Sequence, residues 1–347
     1  EKGALVYPRI LASRGLNEEI ILKINEDITL NLERTSVFPE RLLIRTHEEG
    51  SLVNNYVDWS EHNQYLYHDT EKMAAVIMKD NNGVNVEGLL RHDLRIQPMP
   101  ELERSLEGHV AHMLFSVKQR MPFHGDHGII NYISLFICKK ISITNYIKIK
   151  IKVIYLTNES TQFKSKTSQA EICLVAFLAE ERITEKITPE VHVVLDANTS
   201  SAYSYNKQAI TDYLSVLAAA VSNYYSLFKQ KRSKQSLFLK IANCILRRYY
   251  VPKVWYAYLS RVCTVFKVGM SEDEPKSYDG VHLFSHEIAH LLGCAHDEDP
   301  PDGTMKGHPG SKNCPWNDGY IMSYVINFEH HYTFSPCCVK SIRFVAK

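Results

Sequence analysis

The side chains best suited to chemistry lie in one stretch of twelve residues, HEIAHLLGCAHD at 286–297. His286 and His290 are four residues apart, so in a helix they share one face and both imidazoles can reach one metal ion. Glu287 lies beside the first histidine, where its carboxylate can hold and deprotonate the attacking water without binding the metal. The spacing therefore predicts a hydrolytic metal site with Glu287 as the general base.

The residues after this pair complete the predicted site. Gly293 lets the chain leave the helix at low steric cost, so that His296 can return as a third nitrogen ligand. Three neutral imidazoles leave the fourth position of a zinc ion open for water, as catalytic zinc sites require. The alternative is a set of surface histidines on an amphipathic helix. It suits the short His-Glu-x-x-His pattern, which occurs by chance, but not the extended pattern.

This stretch resembles the zinc signature of the metzincin metalloproteases, and Asp297 after the third histidine is similar to the adamalysin or reprolysin group. A second segment, GYIMSY at 319–324, resembles the methionine turn of that clan. The resemblance implies a zinc-dependent endopeptidase in which Met322 is a hydrophobic floor beneath the histidines. Gly293, Asp297 and Tyr324 would support the same site.

Two expectations concern the loop that follows the third histidine. Asp297 is expected to bond within its own turn and fix His296, and the alternative is a solvent-exposed aspartate at the helix end. His308 is expected to be exposed to solvent, because three histidines already complete the metal site.

The cysteines point to disulfide bonds. The chain has 8 cysteines, five of them after residue 260, and no C-x-x-C pair, which indicates an oxidising compartment and a secreted protein. Their pattern near the C-terminus looks most like that of the secreted metalloproteases of tick saliva. The resemblance implies a bond from Cys263 to Cys337 or Cys338, with Cys314 bonded to the other or to Cys294.

Composition excludes several function classes. The net charge of +1 gives no field that favours nucleic acid or anionic membranes. No apolar run approaches the roughly 18 residues of a membrane span. The chain begins at Glu1 without a signal-peptide pattern, which favours a processed or partial sequence. Sequons at Asn158 and Asn198 fit a secreted protein.

Residues 1–128 are predicted to form a β-rich module, because short apolar runs alternate with turn signals such as Asn82-Gly83. Tyr65 to Val110 resembles the prodomain of reprolysins, which covers the enzyme. No cysteine precedes Cys138, so inhibition by this module would need steric cover or another metal ligand. The alternative is a generic β domain with a different binding role.

Residues 129–187 are predicted to be an atypical basic linker. From 129 to 168 the sequence is rich in Ile, Lys, Tyr and Asn, with Glu159 as its single acid. A basic strand that touches heparin-like or phospholipid surfaces is one interpretation. The favoured interpretation is translated AT-rich non-coding sequence.

For residues 188–347 the resemblance implies the catalytic domain, in an α/β (α+β) fold with a mixed sheet. A strand at 189–196 precedes a helix at 207–228. The sequence before Cys263 is short for this family, so 236–246 and 254–259 must supply strands beside 191–195, with one edge facing the metal. A second helix carries the histidines.

The sequence of that second helix predicts both its N-cap residue and the apolar face that packs into the core. Asp279 is the predicted N-cap. The apolar face that anchors the helix consists of Val281, Phe284, Ile288, Leu291 and Leu292.

Together these features predict a secreted zinc endopeptidase that hydrolyses extracellular matrix, plasma or other host proteins. The alternative is a catalytically impaired, metal-loaded relative that binds a protein without cutting it. A purely structural zinc site fits less well, because such sites close the fourth position with a protein ligand.

Overall fold

The computed structural model describes residues 3–14, 19–48, 51–60, 63–118, 132–137, 140–141, 147–149, 186–226, 236–237, 240–246, 256–262, 264, 266–327 and 329–346. The predictions for Asn158 and for most of residues 129–187 fall outside these ranges.

Short strands form the described N-terminal part, as the alternating sequence pattern predicted. They are β1 (Ala4–Val6), β2 (Arg9–Arg14), β3 (Glu19–Lys23), β4 (Thr29–Arg34), β5 (Arg41–Glu48), β6 (Ser51–Asp58), β7 (Leu66–Asp69), β8 (Ala74–Lys79), β9 (Asn85–Arg91), β10 (Leu94–Pro98) and β11 (His112–Ser116).

Strands and helices mix in the rest of the chain. They are β12 (Tyr132–Ile137), β13 (Lys140–Ile141), β14 (Ile147–Ile149), β15 (Lys186–Leu195), α1 (Ala197–Ala202), α2 (Lys207–Ser226), β16 (Ser236–Leu237), β17 (Lys240–Leu246), β18 (Tyr256–Ala257), β19 (Val268–Glu272), α3 (Val281–Leu291) and α4 (Pro336–Val345). Short 3-10 helices cover Asn63–Tyr65 and Trp316–Asp318.

The first sheet is antiparallel, with the order β1-β11-β10-β9-β8-β7-β4-β3-β2. The turn predicted at Asn82-Gly83 joins β8 to β9, and both residues have positive φ, 77° and 101°. Such angles suit asparagine and glycine. A two-residue turn of His92 and Asp93 connects β9 to β10.

The second sheet runs β18-β19-β12-β15-β17-β5-β6 along its main path. β17 pairs in parallel with β15, which confirms the strand predicted at 236–246. β18 pairs antiparallel with β19 at the edge, which confirms a strand within 254–259. Its predicted place beside 191–195 was wrong, because β19 and β12 lie between β18 and β15. The residues after this edge strand meet α3, since the amide of Ser260 donates to the carbonyl of His290 over 2.9 Å. The mixed α+β fold is therefore the one predicted.

Hydrogen bonding does not follow the predicted division of the chain at 128 and 187. β12 lies inside the predicted linker, yet it pairs with both β15 and β19 in the middle of the second sheet. The β5–β6 hairpin belongs to the N-terminal part, yet β5 pairs in parallel with β17. The three-part division remains a prediction from composition, and the second sheet draws strands from all three parts.

The helix α2 lies between the first sheet and α3, and it confirms the predicted helix over its described part. Gly88 on β9 permits this packing, because a Cβ there would lie 2.4 Å from the carbonyl oxygen of Ala75 and 3.1 Å from Val216. On the other side, the Tyr225 hydroxyl donates to the carbonyl of Ser285 over 2.7 Å. The side chains around α2 form the main hydrophobic core. The fold thus places a rigid helix behind the histidines.

Within the described residues, no helix is long and apolar enough to span a membrane. The sequon at Asn198 lies in α1, where Thr199 and Ser200 are 1% and 0% exposed. The last two residues of this sequon are therefore buried.

Candidate metal centre

The helix α3 positions the first two histidines through its buried apolar face. All five residues of the predicted stripe are at most 3% exposed. The N-cap residue is Gly280 rather than the predicted Asp279. Asp279 instead accepts from the amide of Glu274 over 2.7 Å, while Asp273 accepts from the amide of Gly280 over 2.9 Å. The prediction failed because the chain before the helix folds back on itself, which a local cap signal does not reveal.

The three predicted histidines converge on one point. One ring nitrogen from each of His286, His290 and His296 lies within 4.8 Å of the others. Nε2 of His296 is 3.2 Å from Nε2 of His286 and 3.1 Å from Nε2 of His290. Among the described residues, they form the one group of three or more His, Cys, Asp or Glu side chains whose ligand atoms all lie within 4.8 Å of one another.

The opposite ring nitrogens assign the tautomers. Nδ1 of His286 lies 2.8 Å from the carbonyl of Ile321, and Nδ1 of His290 lies 2.7 Å from the carbonyl of Cys294. A carbonyl only accepts, so both Nδ1 atoms carry the proton and both Nε2 atoms present a lone pair. Nδ1 of His296 faces a carboxylate oxygen of Asp299 at 3.4 Å, which assigns the same tautomer.

The lone pair of His296 Nε2 faces those of the other two histidines at about 3 Å, and such lone pairs repel unless a cation lies among them. Burial also lowers the pKa of His286 to about 3 and that of His290 well below its usual value, so both rings are neutral at pH 7. Burial lowers the pKa of His296 as well, while Asp299 opposes that change. Neutral imidazoles with oriented Nε2 atoms are the donor set that zinc binds. The residues present therefore fit the metal.

Gly293 ends α3 as predicted, with a φ of 111° that side-chain-bearing residues rarely adopt. The prediction for His308 was wrong, because this residue is only 4% exposed. Its Nε2 donates to the carbonyl of Gly293 over 2.7 Å, and its Nδ1 accepts from the amides of Asp302 and Gly310. His308 therefore fixes the loop that returns the third histidine.

The methionine turn lies against this site. Met322 is 0% exposed in the main hydrophobic core, and its carbonyl accepts from the amide of Asp297 over 3.1 Å. The neighbouring carbonyl of Ile321 holds His286, as described above. The hydroxyl of Tyr324 lies 3.2 Å from Nε2 of His296. Both residues thus contact the segment that carries the ligands.

Glu287 is 3% exposed, although a carboxylate of this kind usually lies in water. Its Oε2 has no hydrogen-bond partner among the described residues. Burial raises the pKa of Glu287 to about 8, and a cation held by the histidines would lower it again and favour the carboxylate form that can accept a proton. A buried carboxylate with an unpaired oxygen, carried by the helix that also carries two of the histidines, is suited to exchange a proton.

Asp297 does not bond within its turn, which corrects the prediction from the sequence, and at 1% exposure it is not a solvent-exposed cap either. Its Oδ1 accepts from the hydroxyl of Ser335 over 2.6 Å. Ser335 is the N-cap of α4, so this bond joins the third histidine's turn to the C-terminal helix. Ser335 followed by Pro336 signals a helix start, but only the fold shows its buried partner.

The disulfides differ from those that the resemblance implied. Cys294 is bonded to Cys338, and Cys314 is bonded to Cys337. The predicted bond from Cys263 to Cys337 or Cys338 is therefore wrong, and Cys263 itself lies outside the described residues. Both bonds fasten the chain after α3 to α4. The pairing of Cys314 with one of the adjacent cysteines was among the alternatives predicted.

Sequence reasoning missed two side chains at the third histidine. One is Asp299, which faces Nδ1 of His296. The other is Trp316, whose ring lies 6.1 Å from that of His296 and 5.2 Å from that of Tyr324. Acidic and aromatic side chains near a metal motif were the available signal, but their direction depends on how the loop folds.

Comparison with known proteins agrees with this geometry. The family model for metallopeptidase family M12, in its reprolysin form, matches residues 147–335. A venom metalloproteinase antarease of Tityus serrulatus is 23% identical, over 98% of this chain and 90% of its own length. A venom metalloproteinase of Olivierus martensii is 23% identical, over 97% of this chain and 88% of its own.

A more local match has higher identity. A protein of Bombyx mori described as like a disintegrin and metalloproteinase with thrombospondin motifs is 38% identical over 93 residues. The match covers 25% of this chain and 13% of that protein.

Proposed function

Since the chain belongs to metallopeptidase family M12, in its reprolysin form, we propose that it is a secreted zinc endopeptidase that cleaves extracellular proteins. Membership makes it a metalloendopeptidase whose substrates are proteins or peptides. Features of the structure support the two further assignments, zinc as the metal and secretion. Three neutral imidazoles favour zinc, and two disulfides favour an oxidising compartment.

His286, His290 and His296 would hold the zinc through their Nε2 atoms, with Met322 packed in the core behind them. A bound zinc supplies Lewis acidity, which polarises a peptide carbonyl and lowers the pKa of a water to about 7. Glu287 accepts the proton of the attacking water on Oε2 and then delivers it to the nitrogen of the leaving amine.

Other residues keep these groups in place. The carbonyls of Ile321 and Cys294 hold two rings in the required tautomer, and Gly293 returns the third histidine to the site. Asp297 and Tyr324 fix the segments on either side. The edge strand β18 runs beside α3 and offers a peptide substrate a place to add as a further strand.

Residues 1–128 would act as a prodomain-like module. The relatives in venom align with this chain across its N-terminal part as well as its C-terminal part. The first sheet packs on α2, and α2 packs on α3, so the module bears on the helix that carries two ligands. Residues 1–128 contain no cysteine, so inhibition by this module would need steric cover or another metal ligand.

The observation that carries the proposal is the convergence of three Nε2 atoms, together with a buried, unpaired carboxylate oxygen of Glu287 on the helix that carries two of them. Glu287→Ala is expected to keep most zinc binding and to lose peptide hydrolysis by about 10²–10⁴-fold. His290→Ala is expected to lose both. Zinc titration and casein cleavage measure the two properties.

Proteolysis retained by the glutamate variant would contradict the assigned role of Glu287. A wild-type chain that holds zinc but cleaves neither casein nor gelatin would favour the alternative, a metal-loaded binding protein.

A further inference from the structure

The two ends of α3 are held in different ways. At the C-terminal end, the amides of Ser260 and Val262 donate to the carbonyls of His290 and Leu291 over 2.9 and 3.1 Å. The Cys294–Cys338 disulfide follows directly. The N-terminal end has no side-chain cap, so its position depends on the preceding loop, residues 273–280.

This loop contains unfavourable backbone conformations. Lys276 and Tyr278 have positive φ, 72° and 54°, although neither is glycine. Residues in such conformations persist where surrounding contacts hold them. Some contacts come from α2, since the hydroxyl of Tyr213 accepts from the amide of Tyr278 over 3.1 Å and itself donates to Asp273.

The loop's carbonyls are held from the N-terminal sheet by Arg95 on β10. Its Nε donates to the carbonyl of Ser277 over 2.6 Å, and its Nη2 donates to the carbonyl of Tyr278 over 2.9 Å. Nη1 donates to the carbonyls of Arg91, His92 and Leu94, which fastens the guanidinium to its own hairpin. One side chain thus links the β9–β10 hairpin to the loop before α3.

Arg95 is 1% exposed, and burial lowers the pKa of its guanidinium although the charge of Asp273 opposes this change. Burying a charged guanidinium lowers the stability of the fold, because its carbonyl partners only partly replace the hydration that it loses. Methionine or leucine would fill the same space without that cost. What the arginine adds is a planar fork that holds two consecutive carbonyls at once.

The same hairpin also contacts the other side of the metal centre. The ring of His92 stacks on that of Tyr332 with centroids 3.3 Å apart. Tyr332 lies between the methionine turn and α4. The β9–β10 hairpin therefore touches the segments on both sides of the histidines.

We propose that Arg95 is a positioning residue of the metal centre: it fixes the carbonyls of Ser277 and Tyr278 and thereby the N-terminal end of α3. His286 and His290 follow within the next three turns of that helix, so a displaced helix start moves both ligands. The N-terminal module would then help to position the metal ligands, in addition to its proposed role as a prodomain-like module. This inference rests on the proposed zinc site.

The test uses the full chain with Arg95→Met, Arg95→Lys and a matched control, Arg104→Met. Arg104 also donates to two carbonyls, those of Gly108 and Asn82, but it is exposed and contacts neither α3 nor its loop. Zinc affinity is measured by competition with a chromophoric chelator. The visible spectrum of Co²⁺ bound in place of zinc reports ligand geometry.

Arg95→Met is expected to weaken zinc binding by about tenfold, the low end of the loss seen when a direct partner of a metal ligand is removed, because Arg95 acts on the ligands through the start of α3. It is also expected to change the cobalt spectrum. Arg95→Lys, which can reach one carbonyl, should lie between Arg95→Met and the wild type. Arg104→Met should match the wild type.

A merely structural role would lower the unfolding midpoint and leave the cobalt spectrum unchanged, and that result would overturn the inference. If Arg95→Met does not fold, Arg95→Lys decides, because wild-type affinity and spectrum in that variant would also overturn it. A wild-type chain that binds no zinc would instead refute the proposed function.

Discussion

Gly293→Ala is expected to destabilise the protein at the point where the chain leaves α3. The residue has a φ of 111°, outside the regions that alanine favours. A Cβ at this position would lie 2.5 Å from a terminal methyl of Val345 and 3.3 Å from the carbonyl oxygen of Ser341. Two separate costs therefore arise, one from the backbone and one from the contact with α4.

Both costs have known ranges. Holding alanine at this φ costs about 1–3 kcal/mol. Overpacking costs about 1–3 kcal/mol, and the low end applies because the opposing methyl belongs to a partly buried valine in the last turn of a helix. The sum for Gly293→Ala is about 3 kcal/mol. Val345→Ala in the same chain should recover about 1 kcal/mol, the contact part alone.

Urea unfolding of the zinc-loaded chain, followed by circular dichroism, gives these free energies. Gly303→Ala is the matched control, because a Cβ there meets nothing within 4 Å, and it should change stability by less than about 0.5 kcal/mol. The reasoning fails if Gly293→Ala is as mild as the control. It also fails if Val345→Ala recovers nothing, since the contact would then carry no cost.

Two more predictions concern the pH dependence of stability and the two disulfide bonds. Burial lowers the pKa of His92 from 6.5 to about 4, so the unfolded chain takes up this proton first and stability falls as pH drops below 6.5. The difference corresponds to roughly 3 kcal/mol, complete near pH 4, and His92→Gln should show a shallower fall in urea midpoints between pH 7.5 and 5. An equal fall in both proteins would contradict this. Replacing Cys314 and Cys337 by alanine opens a loop with a sequence separation of 23 and should cost about 3 kcal/mol of unfolding free energy. Non-reducing peptide mapping should find this bond and the Cys294–Cys338 bond. Any other pairing of these four cysteines would contradict the structure.

The metal site could be read from the sequence because its geometry is local. His286 and His290 share a helix face by helical periodicity alone, and the apolar stripe on the opposite face anchors them. Gly293 then supplies the one backbone conformation that returns the chain toward the first ligands. The fold class followed in part from patterning, since strand and helix periods predicted a strand followed by a long helix, whereas the resemblance to metzincins implied the mixed sheet.

The partners of buried polar groups depended on tertiary structure. Asp297 can satisfy its carboxylate within its turn or elsewhere, and only the arrival of α4 places Ser335 within 2.6 Å. His308 is hydrophilic enough to lie in water, yet the loop folds over it and gives it the carbonyl of Gly293. Disulfide pairing also depended on tertiary structure, because the position of α4 determines which cysteine sulfurs lie close enough to bond.

Strand pairing across the chain was likewise decided by the fold. A strand's pattern gives its buried face but not its neighbour, so nothing in 132–137 indicates that it lies between β15 and β19. Arg95 is the clearest case. In sequence it is one basic residue of a β-rich module, and it becomes part of the metal centre's support because two sheets and α2 bring it to a loop 182 residues away.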